Sequence, residues 1–184
     1  TLESISEKKF IPEEMLRNLN GYNEEDEVIL PSHSFIAAAQ SIYHSGARPV
    51  PVEMSEDDWL VSTKAIEAAI TKRTVGIMPV HVNGRCCQMD KILDIAGRYK
   101  LKVFEDSAQA MGAKYDGLCA GTIGEWGTYS FYPSKTLGSF GDAGALVTNC
   151  DEIYEKVLAM RNHGADNNKM IPLDTNIWGT NCRL

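Results

Sequence analysis

The stretch TVGIMPVHVNGRCCQMDKILDIAGRYKLKVFED, residues 74–106, contains two apolar runs separated by a segment with helical periodicity. Residues 74–82 and 101–106 are rich in apolar side chains and are predicted to be strands. Between them, residues 88–100 place apolar side chains three and four positions apart, which is typical of an amphipathic helix. A strand, a helix and a second strand in this order predict two parallel strands joined by a helical crossover.

The same alternation continues on both sides of this unit. Further strands are predicted for residues 26–31, 47–53, 128–132 and 144–149, and further helices for residues 34–46, 62–70 and 151–164. Ser34 is expected to cap the first helix and Gly46 to end it, while Ser62 or Thr63 is expected to cap the second. Because the strands are nearly continuous apolar runs, an α/β protein is predicted, with a three-layer αβα architecture and a mostly parallel central sheet.

The composition is that of a globular protein with a core, since 43% of the 184 residues are hydrophobic and 23% are charged. A net charge of −7 disfavours binding to nucleic acid or to an anionic membrane, because both attract clustered Lys and Arg. No apolar run approaches the roughly 20 residues of a membrane span, and no signal-peptide pattern opens the sequence. A cytoplasmic location is therefore expected.

Five scattered cysteines form no disulfide framework, and their odd number suits a reducing compartment. The adjacent Cys86 and Cys87, downstream of His81, could suggest a metal site. Zinc sites normally combine spaced ligand pairs, which this sequence lacks. Ordinary buried or half-buried thiols and no metal site are expected.

Two charged residues follow predicted strands, where parallel α/β folds bind their ligands. Asp106 ends the run LKVFED, and Lys135 comes shortly after the run TYSFY. Taken alone, Asp106 could be a helix cap or a turn former, and Lys135 could be a surface lysine or a phosphate contact. Together they match the needs of pyridoxal 5′-phosphate, which takes a lysine for its Schiff base and an acid to keep its pyridine nitrogen protonated.

Two more residues fit the same hypothesis by position. Phe35, just beyond the first strand, could cover one face of the flat cofactor ring, although a core or surface phenylalanine is equally compatible with the pattern. Ser130 could give its hydroxyl to the cofactor phosphate, although a serine in a strand needs no such role.

Six segments share their order and spacing with a known family. From about residue 22 to the end, the sequence resembles the DegT/DnrJ/EryC1/StrS family of sugar aminotransferases, which have the fold of aspartate aminotransferase (fold type I). The segments are DEVILPSHSFIAAAQSI, GARPVPVE, IEAAITKRTVGIMPVHVNG, MDKILDIAGRYKLKVFEDSAQAMGAKYDG, AGTIGEWGTYSFYPSKTLGSFGDAGALVTN and RNHG.

The resemblance implies a role for each matching position. Lys135 would be the catalytic Schiff-base lysine, and Asp106 would be the partner of the pyridine nitrogen. Gln109, in EDSAQ, would lie close to the cofactor ring. Ser130, in SFYPSK, would bind the cofactor phosphate.

Three further positions match the family. Phe35 matches the aromatic residue that stacks on the cofactor ring. Asn181, in GTNCRL, matches an asparagine that reaches the phosphate in the neighbouring subunit of the family dimer. His81 matches a family histidine, for which a structural role is favoured and no chemical role is assigned.

By this resemblance the protein would be a pyridoxal-phosphate-dependent aminotransferase and a homodimer with a shared active site. It would move an amino group from an amino-acid donor, with glutamate as the expected donor, to a keto-deoxysugar nucleotide. The product would serve cell-surface polysaccharide or secondary-metabolite sugar biosynthesis.

Two features depart from the family pattern. Residues 1–21 lack the Ser-Gly-Thr phosphate loop expected before DEVILP and form an atypical N-terminal segment. The sequence also ends within a motif, so residues 22–184 are expected to be a partial cofactor-binding large domain without the small C-terminal domain.

Three other functions fit the sequence less well. Sugar 3-dehydratases of the same family carry histidine where this sequence has Lys135. A nicotinamide-dependent dehydrogenase with a Tyr-x-x-x-Lys pair would need tyrosine at position 131, which is Phe131 here. A catalytically inactive remnant with a regulatory role would not need Lys135, Asp106, Gln109 and Ser130 together.

Overall fold

The computed structural model describes residues 22–161 and is built around a six-stranded sheet. Its strands are β1 (Glu27–Pro31), β2 (Arg48–Val52), β3 (Thr74–Ile77), β4 (Lys102–Asp106), β7 (Trp126–Ser130) and β8 (Gly144–Val147), and a separate small hairpin consists of β5 (Lys114–Tyr115) and β6 (Leu118–Cys119). The helices are α1 (Ile36–His44), α2 (Thr63–Ala69), α3 (Met89–Tyr99) and α4 (Asp151–Met160), with a 3₁₀ turn at Val82–Gly84. That residues 22–184 form part of a large cofactor-binding domain remains a prediction.

The strand order in the sheet is β2-β1-β3-β4-β7-β8. The first five of these strands run parallel, and β8 is antiparallel to β7. The predicted mostly parallel α/β sheet is therefore confirmed. Because they run parallel, β1, β3, β4 and β7 all end at the same edge of the sheet.

The core follows from the apolar runs in the sequence. All five residues of β1 are buried, and its neighbour β3 contributes the fully buried Ile77. Helix α3 buries Met89, Ile92, Ile95 and Ala96, whereas Leu93, which is also apolar, is 38% exposed. Burying a large apolar side chain stabilises the fold by about 1.5–3 kcal/mol, so this face fixes α3 on the sheet.

The helix ends agree with the sequence in part. Ser62 caps α2 as predicted, because its Oγ accepts a hydrogen bond from Ala65 N at 3.3 Å. Gly46 adopts a φ of +94° just after α1, which suits its predicted stop. The Ser34 cap was wrong: Phe35 occupies the N-cap position of α1, and the Ser34 hydroxyl contacts the Phe35 carbonyl instead.

The part of the chain that the structure describes contains no helix long and apolar enough to cross a membrane.

Candidate active site

Pairing of β4 with β7 brings two of the predicted site residues together. Asp106, the last residue of β4, lies opposite Thr128 in the register of the two parallel strands. Ser130 ends β7 two positions further on, so it lies on the same face of the strand as Thr128. Asp106, Thr128 and Ser130 all border one cavity of about 260 Å³.

Helix α1 forms the opposite wall of this cavity. It contributes the small side chains of Ala37, Ala38 and Ser41. Phe35 lies at the start of the same helix and is 73% exposed, so it is not a core phenylalanine. The cavity thus combines an acid and hydroxyls on the sheet side with small residues on the helix side.

Asp106 is held from several directions. Its backbone N–H donates to the Pro79 carbonyl and its own carbonyl accepts from His81 N, both at 2.9 Å. Its Oδ1 accepts from Ala108 N at 3.0 Å, which closes a turn. The expected turn-forming role is therefore present, but no helix follows Asp106, so a helix-capping role is wrong.

Gln109 is tied to the segment that follows β3. Its Oε1 accepts a hydrogen bond from Asn83 N at 2.9 Å. Asn83 has a φ of +53°, a left-handed conformation that asparagine tolerates better than most residues. The amide of Gln109 is therefore oriented by a neighbouring loop rather than by its own turn.

Lys135 lies in the connection between β7 and β8, residues 131–143, here called the lysine loop. The loop is closed by hydrogen bonds from Ser139 N to Phe131 O at 2.7 Å and from Phe131 N to Ala143 O at 2.8 Å. A turn with a 2.8 Å bond from Lys135 N to Tyr132 O sets the lysine backbone. Lys135 is half-buried and follows Ser130 at the edge where Asp106 lies.

Gly138 is the tightest point of the lysine loop, because a Cβ added there would overlap the carbonyl oxygen of Pro133. Replacing Gly138 with alanine is expected to cost about 1–3 kcal/mol of unfolding free energy or to open the loop locally. Urea denaturation and limited proteolysis within the loop measure the two effects.

Gly141→Ala is the matched control for this substitution, since a Cβ at position 141 meets nothing within 4 Å. The control variant is expected to behave like the wild type. Equal stability and equal cleavage of the two alanine variants would show that the close approach at Gly138 does not constrain the loop.

Sequence reasoning missed a buried network directly beside Asp106. His81 and Glu105 are both fully buried, and His81 Nε2 lies 2.9 Å from Glu105 Oε2. The Glu105 carboxylate also accepts hydrogen bonds from the backbone N–H groups of Gly121 at 2.7 Å and of Ile123 and Gly124 at 2.6 Å each. The available signal was the glutamate at the fifth position of the apolar run LKVFED.

The protonation of Glu105 follows from these contacts. Burial acts to raise the pKa of the carboxyl, but the hydrogen bonds from His81 and from the three backbone amides outweigh it and lower the pKa below its ordinary value. At neutral pH the Glu105 carboxyl is therefore ionised inside the protein, and four N–H donors stabilise its charge.

Cys86 and Cys87 match the expectation of buried or half-buried thiols. Cys87 is fully buried, and burial raises its pKa to about 12. Cys86 and Cys150 are half-buried and Cys119 is exposed, while Cys182 lies outside the described residues. Within residues 22–161, no group of three or more His, Cys, Asp or Glu side chains could hold a metal ion.

Asn181, the remaining predicted site residue, also lies outside the described residues. The structure thus places Asp106 and Ser130 on one cavity. It places Gln109, Phe35 and Lys135 on segments that adjoin the same edge of the sheet.

Comparison with known proteins identifies relatives of this chain. The chain is 45% identical over 145 residues to a "Pleiotropic regulatory protein" of Geobacillus stearothermophilus, covering 79% of this chain and 39% of that protein. It is 44% identical over 150 residues to a dTDP-3-amino-3,4,6-trideoxy-alpha-D-glucose transaminase of Streptomyces venezuelae, covering 82% of this chain and 39% of the enzyme. The chain thus spans about two-fifths of the length of these relatives.

A solved structure shares the fold. The crystal structure of S. venezuelae DesV, in complex with a ketimine intermediate, superposes with a TM-score of 0.81 at 42% identity, covering 89% of this chain and 43% of that one. Residues 14–184 match the sequence pattern of the DegT/DnrJ/EryC1/StrS aminotransferase family. The protein therefore belongs to the DegT/DnrJ/EryC1/StrS aminotransferase family.

Proposed function

We propose that this chain is the cofactor-binding part of a pyridoxal-phosphate-dependent aminotransferase that acts on a keto sugar nucleotide. The observation that carries the proposal is the shared cavity of Asp106 and Ser130, with Lys135 in the loop that follows Ser130. The name of the S. venezuelae relative supports a sugar-nucleotide acceptor. An amino acid, with glutamate as the expected choice, would supply the amino group.

The residues present fit pyridoxal phosphate. This cofactor, when bound, withdraws electrons from the substrate carbon that carries the amino group. The Asp106 carboxylate would keep the pyridine nitrogen protonated, because an anion beside a basic nitrogen stabilises its cationic form. The Ser130 hydroxyl would donate to the phosphate, and the small α1 side chains of Ala37 and Ala38 leave open space opposite the sheet.

The other site residues would complete the chemistry. Lys135 would hold the cofactor through its Nζ and, once released by the incoming amine, would accept a proton from the substrate carbon and return it to the cofactor. Phe35 would cover one face of the ring with its exposed side chain. Gln109 would approach the ring with its amide already oriented by Asn83.

The exposed apolar side chains support a homodimer. Phe35, Ile36, Tyr132, Leu137 and Phe140 are all at least 52% exposed. They follow the ends of the parallel strands β1 and β7, so they lie at the edge that carries the site. A second copy of the chain covering this edge would bury them, and Asn181 would contribute to the partner's phosphate site. A cytoplasmic location remains part of the proposal.

Reduction with borohydride tests the assignment of the lysine. The full-length protein is incubated with pyridoxal phosphate, reduced and digested, and the labelled peptide is identified by mass spectrometry. The label is expected on Lys135. Lys64→Ala, which removes an exposed lysine of α2, is expected to label like the wild type.

Two other outcomes would contradict the assignment of Lys135 or the proposed function. A label on a different lysine would overturn the assignment of Lys135. A protein with no label and no visible absorbance band after addition of the cofactor would favour the regulatory alternative, which the name of the Geobacillus relative keeps in view. Lysine at position 135 argues against the dehydratase alternative.

A further inference from the structure

We propose that the buried pair of His81 and Glu105 is a positioning device that holds Asp106 and Gln109 in place for the cofactor. This inference rests on the proposed function for the identity of the cofactor. The pair itself is fully buried, so it acts through the backbone rather than by contact with a ligand.

Two hydrogen bonds fix the tautomer of His81. The Cys87 backbone N–H lies 3.1 Å from His81 Nδ1, and a backbone N–H can only donate. Nδ1 is therefore the acceptor, and Nε2 carries the proton that it donates to Glu105 Oε2 at 2.9 Å. Each ring nitrogen thus has a fixed role, and the ring cannot turn without losing both bonds.

Backbone hydrogen bonds link the segment that contains His81 to Asp106. Residues 79–81 continue the path of β3 beside β4, with Val80 paired to Asp106 as an isolated parallel bridge. Both backbone groups of Asp106 bond to this segment, one to Pro79 and one to His81. The His81 ring fastens the same segment to Glu105, the immediate neighbour of Asp106.

The loop that follows His81 links this residue to Gln109. Asn83, two residues after His81, donates its backbone N–H to Gln109 Oε1 at 2.9 Å. Cys87 closes the other end of this loop through its N–H to His81, and its Sγ contacts Val80 O at 3.2 Å. The loop between His81 and Cys87 is therefore anchored on the imidazole ring, and with it the donor that orients Gln109.

The Glu105 carboxylate joins β4 to the turn that precedes β7. Successive strand residues point to opposite faces, so its carboxylate lies on the other side of β4 from that of Asp106. There it accepts from the turn containing Gly121, Ile123 and Gly124, which leads into β7. The pair thus joins the loop after β3, the end of β4 and the start of β7, the three segments that bring Asp106, Gln109 and Ser130 together.

Two substitutions of His81 separate positioning from simple core packing. His81→Gln keeps an N–H donor near the position of Nε2 and can maintain the bond to Glu105. His81→Asn keeps an acceptor near the position of Nδ1 for Cys87 N but does not reach Glu105. His81→Asn also removes one methylene group more than His81→Gln, so Ile66→Ala, at a fully buried position of α2, controls for the loss of stability that a core cavity causes.

Affinity for pyridoxal phosphate is measured by visible absorbance titration of the full-length protein. His81→Asn is expected to weaken binding about tenfold or more, by analogy with the loss seen when a residue that orients a metal-binding side chain is replaced. His81→Gln is expected to retain most of the affinity because it keeps the donor to Glu105. Ile66→Ala is expected to lower the melting temperature without a comparable loss of affinity.

Amide hydrogen exchange in the cofactor-free protein gives a second, independent measurement. His81→Asn is expected to speed exchange at residues 80–84 and 106–109 while the rest of the sheet stays protected. If wild-type protein binds no cofactor, the proposed function fails, but the exchange pattern still decides the positioning role. Unchanged exchange in both segments, or an affinity loss in Ile66→Ala equal to that in His81→Asn, would overturn the inference.

Discussion

Lys135→Ala is expected to lower the transamination rate of the full-length protein by about 10⁴-fold or more, because in the proposed function one side chain would supply both the covalent attachment and the proton transfer. The position of Lys135 fits both tasks. It lies in a closed loop directly after Ser130, at the strand edge that carries Asp106. The rate is measured with a keto sugar nucleotide and an amino-acid donor at saturating cofactor.

Lys135→Arg distinguishes this role from two simpler ones. Arginine keeps the positive charge and the hydrogen-bond donors but stays protonated in proteins, so it can neither attach the cofactor nor accept a proton. The arginine variant is therefore expected to be as inactive as the alanine variant. Substantial activity in Lys135→Arg would instead identify Lys135 as a phosphate contact or a surface charge.

Glu105→Gln is expected to cost about 3–5 kcal/mol of unfolding free energy, the usual cost of breaking a buried charged network. The wild-type carboxylate accepts two N–H donors on each oxygen: His81 and Gly121 on Oε2, and Ile123 and Gly124 on Oε1. A glutamine must turn its NH₂ toward one of these pairs. Two buried donors would then lose their acceptor, and each would carry a desolvation cost of about 1–3 kcal/mol.

The control is Glu125→Gln, which makes the same chemical change at a partly exposed carboxylate. Glu125 pairs with Lys102 at 2.9 Å, and the Lys102 side chain is 58% exposed. A pair of this kind contributes about 0–1 kcal/mol, so the control is expected to lose little stability. Urea denaturation of both variants measures the difference. Equal losses would show that the buried network does not stabilise the fold.

The stability gap between the wild type and Glu105→Gln is also expected to depend on pH. Because the folded-state pKa of Glu105 is lowered from 4.5, the folded protein favours the ionised carboxylate. Its contribution is fully present above pH ~4.5 and is lost as the pH falls through the folded-state value. Urea denaturation at about pH 7 and about pH 3 is expected to show a smaller gap at the lower pH, while a constant gap would contradict this role.

Local sequence predicted most of the elements of the described sheet, because strand and helix periodicity depend on neighbouring residues. The parallel unit of β3, α3 and β4 followed directly from the apolar pattern of residues 74–106. The two-residue strands β5 and β6 were missed, since two residues carry no periodic signal. The cap at Ser34 was wrong because the chain enters α1 one residue later than the residue type suggested.

The candidate site was predictable where sheet topology decides it. Asp106 and Ser130 each end a parallel strand, and adjacent parallel strands end at one edge, so their shared cavity followed once β4 and β7 paired. The His81–Glu105 pair was not predictable in this way. Its two residues are 24 positions apart, and a buried histidine or glutamate has no sequence pattern that names its partner.

The sequence by itself determined the α/β alternation, the order of the elements and the residue types that a pyridoxal phosphate site requires. These depend on side-chain chemistry and on spacing along the chain. Tertiary structure alone decided that Glu105 is an ionised, fully buried group held by His81 and three backbone amides. The physical reason is that a buried charge is stable only where donors from distant segments converge, and that convergence exists only in the folded chain.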